Sequence, residues 1–134
     1  MFKSTKFLRS IVILGAVFYL ASGIGLVFAP GWFYTYVAHF PPFNRHFLGD
    51  AGVFALALGI GLFMISRRPW EHRSLYVVVT LASLMHASNH LYDAIAFAEP
   101  LHHWLTDAIP VSIVAILFIL AWPAMQVERS DAIR

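Results

Sequence analysis

At 134 residues the chain is one domain by length, and 60% hydrophobic against 12% charged residues lies far outside the balance of a soluble globular domain. A formal charge of +2 and a pI near 9.2 do not make it a nucleic-acid binder, because its Lys and Arg sit between apolar runs instead of clustering on one polar surface. The absence of Cys excludes disulfides, thiolate metal sites and CxxC chemistry, so a bound metal would take His, carboxylate or carbonyl ligands.

Lys3, Lys6 and Arg9 precede the first apolar run, which spans about residues 11–29 and stops at Pro30-Gly31. At about 1.5 Å per residue it is just long enough for a hydrocarbon core of roughly 30 Å. A cleavable signal peptide shares the basic start, but the run exceeds a typical h-region and no A-x-A site follows it. The aromatics Trp32, Phe33, Tyr34, Tyr36, Phe40 and Phe43 then suit a segment lying in the interface as a lid over the bundle mouth.

The second span, about 43–66, begins after Pro41-Pro42 and is closed by Arg67-Arg68-Pro69. The third covers about 74–97. The fourth runs from about 105 to 122, with Pro110 as a kink and Pro123 as its stop. Short connections predict an all-α, antiparallel four-transmembrane-helix bundle in a single domain over residues 1–134. Ala21 with Gly25, and Ala55 with Gly59, have the small-xxx-small spacing of close helix contacts.

Basic residues set the orientation. Arg67, Arg68 and Arg73 between spans two and three, and Arg129 and Arg134 after span four, share a side with the N-terminal cluster; Arg45 alone falls opposite. The positive-inside rule predicts both termini in the cytoplasm, and Trp32, Trp70, Trp104 and Trp122 at span ends fit the aromatic belts.

Ionisable residues inside a bilayer cost about 2.5–3.5 kcal/mol each on insertion scales, so they imply a partner or a task. His46 and Asp50 share a face of span two; His86, His90 and Asp93 form an i, i+4, i+7 stripe on span three; Asp107 opens span four. Antiparallel spans bring all six to a similar depth in the outer half. His46, Asp50, His86, His90 and Asp93 are the candidate metal ligands: imidazole nitrogen, balancing carboxylate and rigid helices suit a divalent transition metal such as zinc, iron, manganese, nickel or copper. Haem between His46 and His86 or His90 is a variant that adjacent carboxylates suit less well. Interhelical His–Asp hydrogen bonding that fixes helix register is the purely structural reading. Asn89 and Ser88 flank the stripe and Ser83 extends it inward, whereas His39, His102 and His103 lie in outer loops at the mouth and His72 lies beside Arg73. No nucleophile-elbow, zincin, Walker or Rossmann pattern is present.

The segments Arg45-His46-Phe47-Leu48-Gly49-Asp50-Ala51-Gly52 and His86-Ala87-Ser88-Asn89-His90-Leu91-Tyr92-Asp93 resemble those of small four-helix bacterial membrane proteins, loosely the DoxX-like group. The resemblance implies the bacterial inner membrane and a quinone-associated redox or accessory setting, and it carries over no catalytic residue. Expected partners are membrane lipids, a hydrophobic lipid- or quinone-like substrate, and a second copy or larger membrane complex. A non-enzymatic accessory subunit and a proton-coupled transporter are the alternatives to a metal-dependent activity.

Overall fold

A computed structural model describes residues 4–131, with side chains as far as residue 126. Lys3 and Arg134 lie outside the described residues, as does the side chain of Arg129. Four long helices carry the chain back and forth: α1 (Thr5–Phe28), α3 (Arg45–Ile65), α4 (Arg73–Ala96) and α6 (Ile109–Asp131). Two short helices, α2 (Pro30–Tyr36) and α5 (Leu101–His103), lie at one end. A 3-10 turn (Pro69–His72) leads into α4, and a π-helical turn (Trp104–Ala108) joins α5 to α6. Among the described residues there is no strand.

Local sequence accounts for most boundaries. Pro30 starts α2 at its first position, where a missing N–H costs nothing. Asn44 caps α3 by accepting the Phe47 N–H at 3.1 Å. The expected stop at Pro123 is not observed, since α6 continues through it to Asp131. A proline inside a helix removes one i→i−4 bond, and here Ala121, Ala124 and Met125, all at least 98% buried, hold the helix in place by packing.

Among the described residues three helical segments are long and apolar enough to cross a membrane: Thr5–Phe28, Arg45–Ile65 and Leu101–Gln126. Only about a third of the first two is buried within the chain, and Phe54, Phe63, Met64 and Met85 are 66–75% exposed. So much large apolar surface turned outward is what a lipid solvent selects. The expectation of four equivalent spans meets only three such helices. α4 has the length, at 24 residues, but His86, Asn89 and His90 lower its apolarity below that of the others.

The helices do not pack in a closed ring. α1 packs along α3 on one side and α6 on the other, and α6 packs on α4, while α3 and α4 barely touch. Glycine makes the α1–α3 seam: a Cβ on Gly23 would fall 2.8 Å from Leu56 N and 2.9 Å from Gly52 O, and one on Gly59 would fall 2.8 Å from Leu20 N. Of the expected small-residue pairs, Gly59 is in this seam, but Ala21 is exposed and Gly25 lies under the Phe33 ring of α2. The α1 stripe is shifted two residues, to Gly23.

The two ends of the molecule differ. At the end that carries Arg9, Arg68 and Arg73, a dry core of Leu8, Val12, Leu62, Tyr76, Val79 and Phe118 fills the space between helices. The Tyr76 hydroxyl donates to the Phe118 carbonyl at 2.6 Å, while Arg9 and Arg73 lie over the Trp70 and Trp122 rings at 4.9 and 5.0 Å. The opposite end is hollow.

Candidate ligand cavity

The hollow end encloses a cavity of about 560 Å³, the size of a pocket for one small organic molecule. Phe18 and Leu26 of α1, Phe33 of α2 and Val111 of α6 form much of its apolar wall. Its polar wall is the α4 stripe, where His86, Asn89, His90 and Asp93 face inward beside Thr106 and Asp107 from the π turn.

The π turn places Asp107. Pro110 has no N–H to give the helix and its ring crowds the carbonyl four residues back. The chain relieves this by widening the preceding turn, with the Ile109 N–H reaching the Trp104 carbonyl. Asp107 is thereby buried at the α4–α6 contact, its Oδ2 2.8 Å from His90 Nδ1 with both side chains nearly buried.

That approach is an ion-pair distance without hydrogen-bond alignment, so Nδ1 of His90 is a buried polar atom with no hydrogen-bond partner. On the other side of the ring, His90 Nε2 and His86 Nε2 are 2.7 Å apart, so one of them carries the shared proton. One tautomer set suits both contacts: His90 Nδ1–H directed at Asp107 and His86 Nε2–H donated to His90 Nε2. His86 Nδ1 is then an acceptor; a second proton on His90, at Nε2, keeps Nδ1–H toward Asp107, turns the donation round and makes His86 Nδ1–H a donor. Asp107, His90 and His86 thus form a line of three groups, which ends on a ring that is exposed within the open cavity.

The five expected ligands are not gathered. His86 and His90 meet, and Asp93 lines the same wall, its Oδ2 accepting from Asn89 at 3.2 Å. His46 and Asp50 lie elsewhere, 3.5 Å from each other and largely exposed. The reason is helix phase and neighbour choice. Phe47, Leu48, Ala51 and Ala55 are the α3 residues facing the cavity, Phe47 and Ala51 each one position round from His46 and Asp50, and α4 has α6 beside it instead of α3. Among the described residues no three of His, Asp or Glu are placed to hold one metal ion.

At the mouth, the Phe40 ring sits 6.1 Å from both His90 and His103, and His103 Nδ1 lies 2.5 Å from Glu99 Oε2. Tyr34 packs on His39 at 4.5 Å and on Phe43 at 5.2 Å, and of the expected lid aromatics Phe33, Tyr34 and Phe40 line the cavity, while Trp32 and Tyr36 are exposed away from it. Below His86 the polar track is interrupted. Tyr19 and Ser83 share a hydrogen bond of 2.7 Å, but Ser83 donates to the Val79 carbonyl and Thr80 to the Tyr76 carbonyl. Those protons are committed to backbone acceptors in the direction of the dry core.

Sequence reasoning put Asp107 at the right depth and left it out of the ligand set; the proline three residues on was the available signal. Phe40 was expected only as part of the lid, and Tyr19, as a cavity residue, had no signal beyond hydrophobicity. Comparison with known protein families, with characterised proteins and with solved structures returns no match.

Proposed function

We propose that this chain is a four-span membrane protein, both termini cytoplasmic, whose outward-facing cavity binds one amphiphilic small molecule of lipid or quinone-like character. The observation that carries this reading is the cavity with an apolar wall and one polar edge, the line Asp107–His90–His86. An apolar wall selects the body of a ligand, and a few convergent polar groups orient its head. Because the line can present His86 Nδ1 as donor or acceptor, the fitting head groups are carbonyls and hydroxyls.

α4 crosses alongside the other three helices in this reading. Its polar stripe is turned into the cavity, its length is about 36 Å, and Val78, Leu81 and Met85 are exposed on its outer side. The inner-membrane setting of the DoxX-like resemblance is consistent with such a ligand. A proton-coupled transporter is favoured less, since the hydroxyls below His86 donate to carbonyls. A metal-dependent activity is favoured less as well, because the donors lie in two places.

The test is titration of the detergent-purified protein with a short-chain alkylated benzoquinone, read by quenching of tryptophan fluorescence. Saturable binding is expected, weakened at least about tenfold in His86→Ala and Asp107→Ala, the loss typical of a hydrogen bond in a site with a charged member. Non-saturable quenching, or equal affinity in both variants, contradicts the proposal.

A further inference from the structure

We infer that the ligand's tail leaves the cavity sideways, between α3 and α4, so that the ligand is a membrane-dissolved amphiphile with its chain still in the bilayer. This rests on the reading of the cavity as a ligand site. Four long helices bound the hollow end, and their cavity-facing residues differ in exposure. Tyr19 of α1 and Asp107 and Val111 beside and in α6 are buried. Phe47 is 69% exposed while lining the cavity, and Ala51, His86 and Asn89 are exposed too. Leu48 of α3 also lines the cavity and is buried, so it is the sparse packing of α3 on α4, together with exposed lining residues on both, that leaves the wall open between them.

The other ways out suit an apolar tail less, although Phe40, Pro42, Asn44 and Thr106 at the mouth are exposed as well. Toward the basic end stands the dry core beneath Tyr19 and Ser83. Over the mouth lies the aromatic lid, with Phe40 between His90 and His103. Phe54 lies seven residues after Phe47 and three after Ala51 on α3, and Met85 four before Asn89 on α4, spacings that put both beside the cavity-lining stripes. They are 72% and 73% exposed, so what passes between α3 and α4 meets apolar side chains and then lipid. A free solute from water has no reason to prefer such a route. An acyl or isoprenoid chain anchored by a carbonyl or hydroxyl head beside His86 leaves through it without desolvating any polar group. A volume of about 560 Å³ holds a head group and the first part of a chain, and a side opening removes any limit on the rest.

The experiment uses two photoreactive benzoquinones on the full-length protein in lipid nanodiscs, one carrying a diazirine on the ring and one at the end of a ten-carbon tail. Labelling is counted as specific where excess unlabelled quinone abolishes it. The tail probe is expected to label the outer faces of α3 and α4 around Phe54 and Met85 at least about tenfold more than residues 37–44. Specific tail labelling concentrated in residues 37–44 or in α5 overturns the sideways route while leaving the cavity reading intact, provided that the ring probe labels the cavity wall. Absence of specific labelling by either probe sinks both. The chain has no native Cys, so Phe54→Cys gives a clean second check. A disulfide-linked dimer formed efficiently through that residue in native membranes would show a second copy seated on the opening, and would also overturn the inference.

Discussion

Asp107 is the side chain on which the polar edge turns. A carboxylate buried to this degree is tolerated in a bilayer only against a partner, and His90 Nδ1 at 2.8 Å is that partner. Asp107→Asn retains shape and one acceptor but removes the charge, whereas Asp107→Ala leaves an imidazole nitrogen with nothing opposite. Both variants are expected to lose quinone affinity, Asp107→Ala more severely, and thermal unfolding in detergent should show Asp107→Ala destabilised by about 1–3 kcal/mol. By contrast Asp50→Ala should leave stability within about 0.5 kcal/mol of wild type, because an exposed i, i+4 pair at 3.5 Å contributes little. A large loss in Asp50→Ala with none in Asp107→Ala would reverse the placement of the two carboxylates. At this scale sequence was informative about depth and uninformative about partners. The i, i+4, i+7 spacing on α4 found the stripe that faces the cavity, whereas the same spacing logic on α3 chose His46 and Asp50, where Phe47, Ala51 and Ala55 hold that position. Polarity marks a stripe on a helix but does not say which neighbour it faces.

Among the elements, the π turn and the glycine seam are the two devices with consequences. Pro110→Ala restores an N–H and removes the ring that forces Trp104–Ala108 to widen, so the segment can wind as a regular α-helix. Losing one residue from the turn rotates Asp107 by about 100°, away from α4. The expected outcome is a loss of quinone binding as large as in Asp107→Ala with a smaller loss of thermal stability, because the regained helical hydrogen bond offsets part of the lost Asp107–His90 contact. Binding equal to wild type would show that Asp107 reaches His90 without the π turn. In the seam, Gly59→Ala drives a Cβ against the Leu20 backbone and is expected to destabilise the protein by about 1–3 kcal/mol, while Gly49→Ala, with open space around it, should be neutral or stabilising by up to about 1 kcal/mol. Similar midpoints for the two variants would argue against close α1–α3 contact. Prolines and the ends of apolar runs made the inner boundaries legible, while α1 begins at Thr5, before its apolar run, and the Asn44 cap of α3 was not read. The course of α6 through Pro123 was not legible either, because buried packing at Ala121, Ala124 and Met125 outweighs a local breaker.

The whole molecule divides into a packed basic half and a hollow half. Charge asymmetry announced the division indirectly, since the positive-inside rule separates the ends that the core and the cavity occupy. What the sequence did not disclose is the order of helices around the bundle. Consecutive spans are neighbours by default in short-looped bundles, and that default pairs α3 with α4. The glycine seam instead holds α3 on α1, and the aromatic contact of Tyr76 with Phe118 at 5.7 Å helps hold α4 on α6, which opens the wall between α3 and α4. Orientation has its own check: a Cys at residue 35 should react with an impermeant thiol reagent in intact cells and one at residue 130 should not, and the reverse pattern would invert the topology.

The most direct test of the cavity as a ligand site uses Ala55→Cys, which puts the chain's single thiol on the cavity wall, with Val17→Cys on the outward face of α1 as control. The measurement is the rate of modification by a small membrane-permeant maleimide as short-chain alkylated benzoquinone is added, with the quinone's own reaction with thiol subtracted. The account requires saturable protection of residue 55, with a half-point matching the fluorescence titration, and no protection of residue 17. Equal rates at residue 55 with and without saturating quinone, or equal protection at both positions, would contradict it.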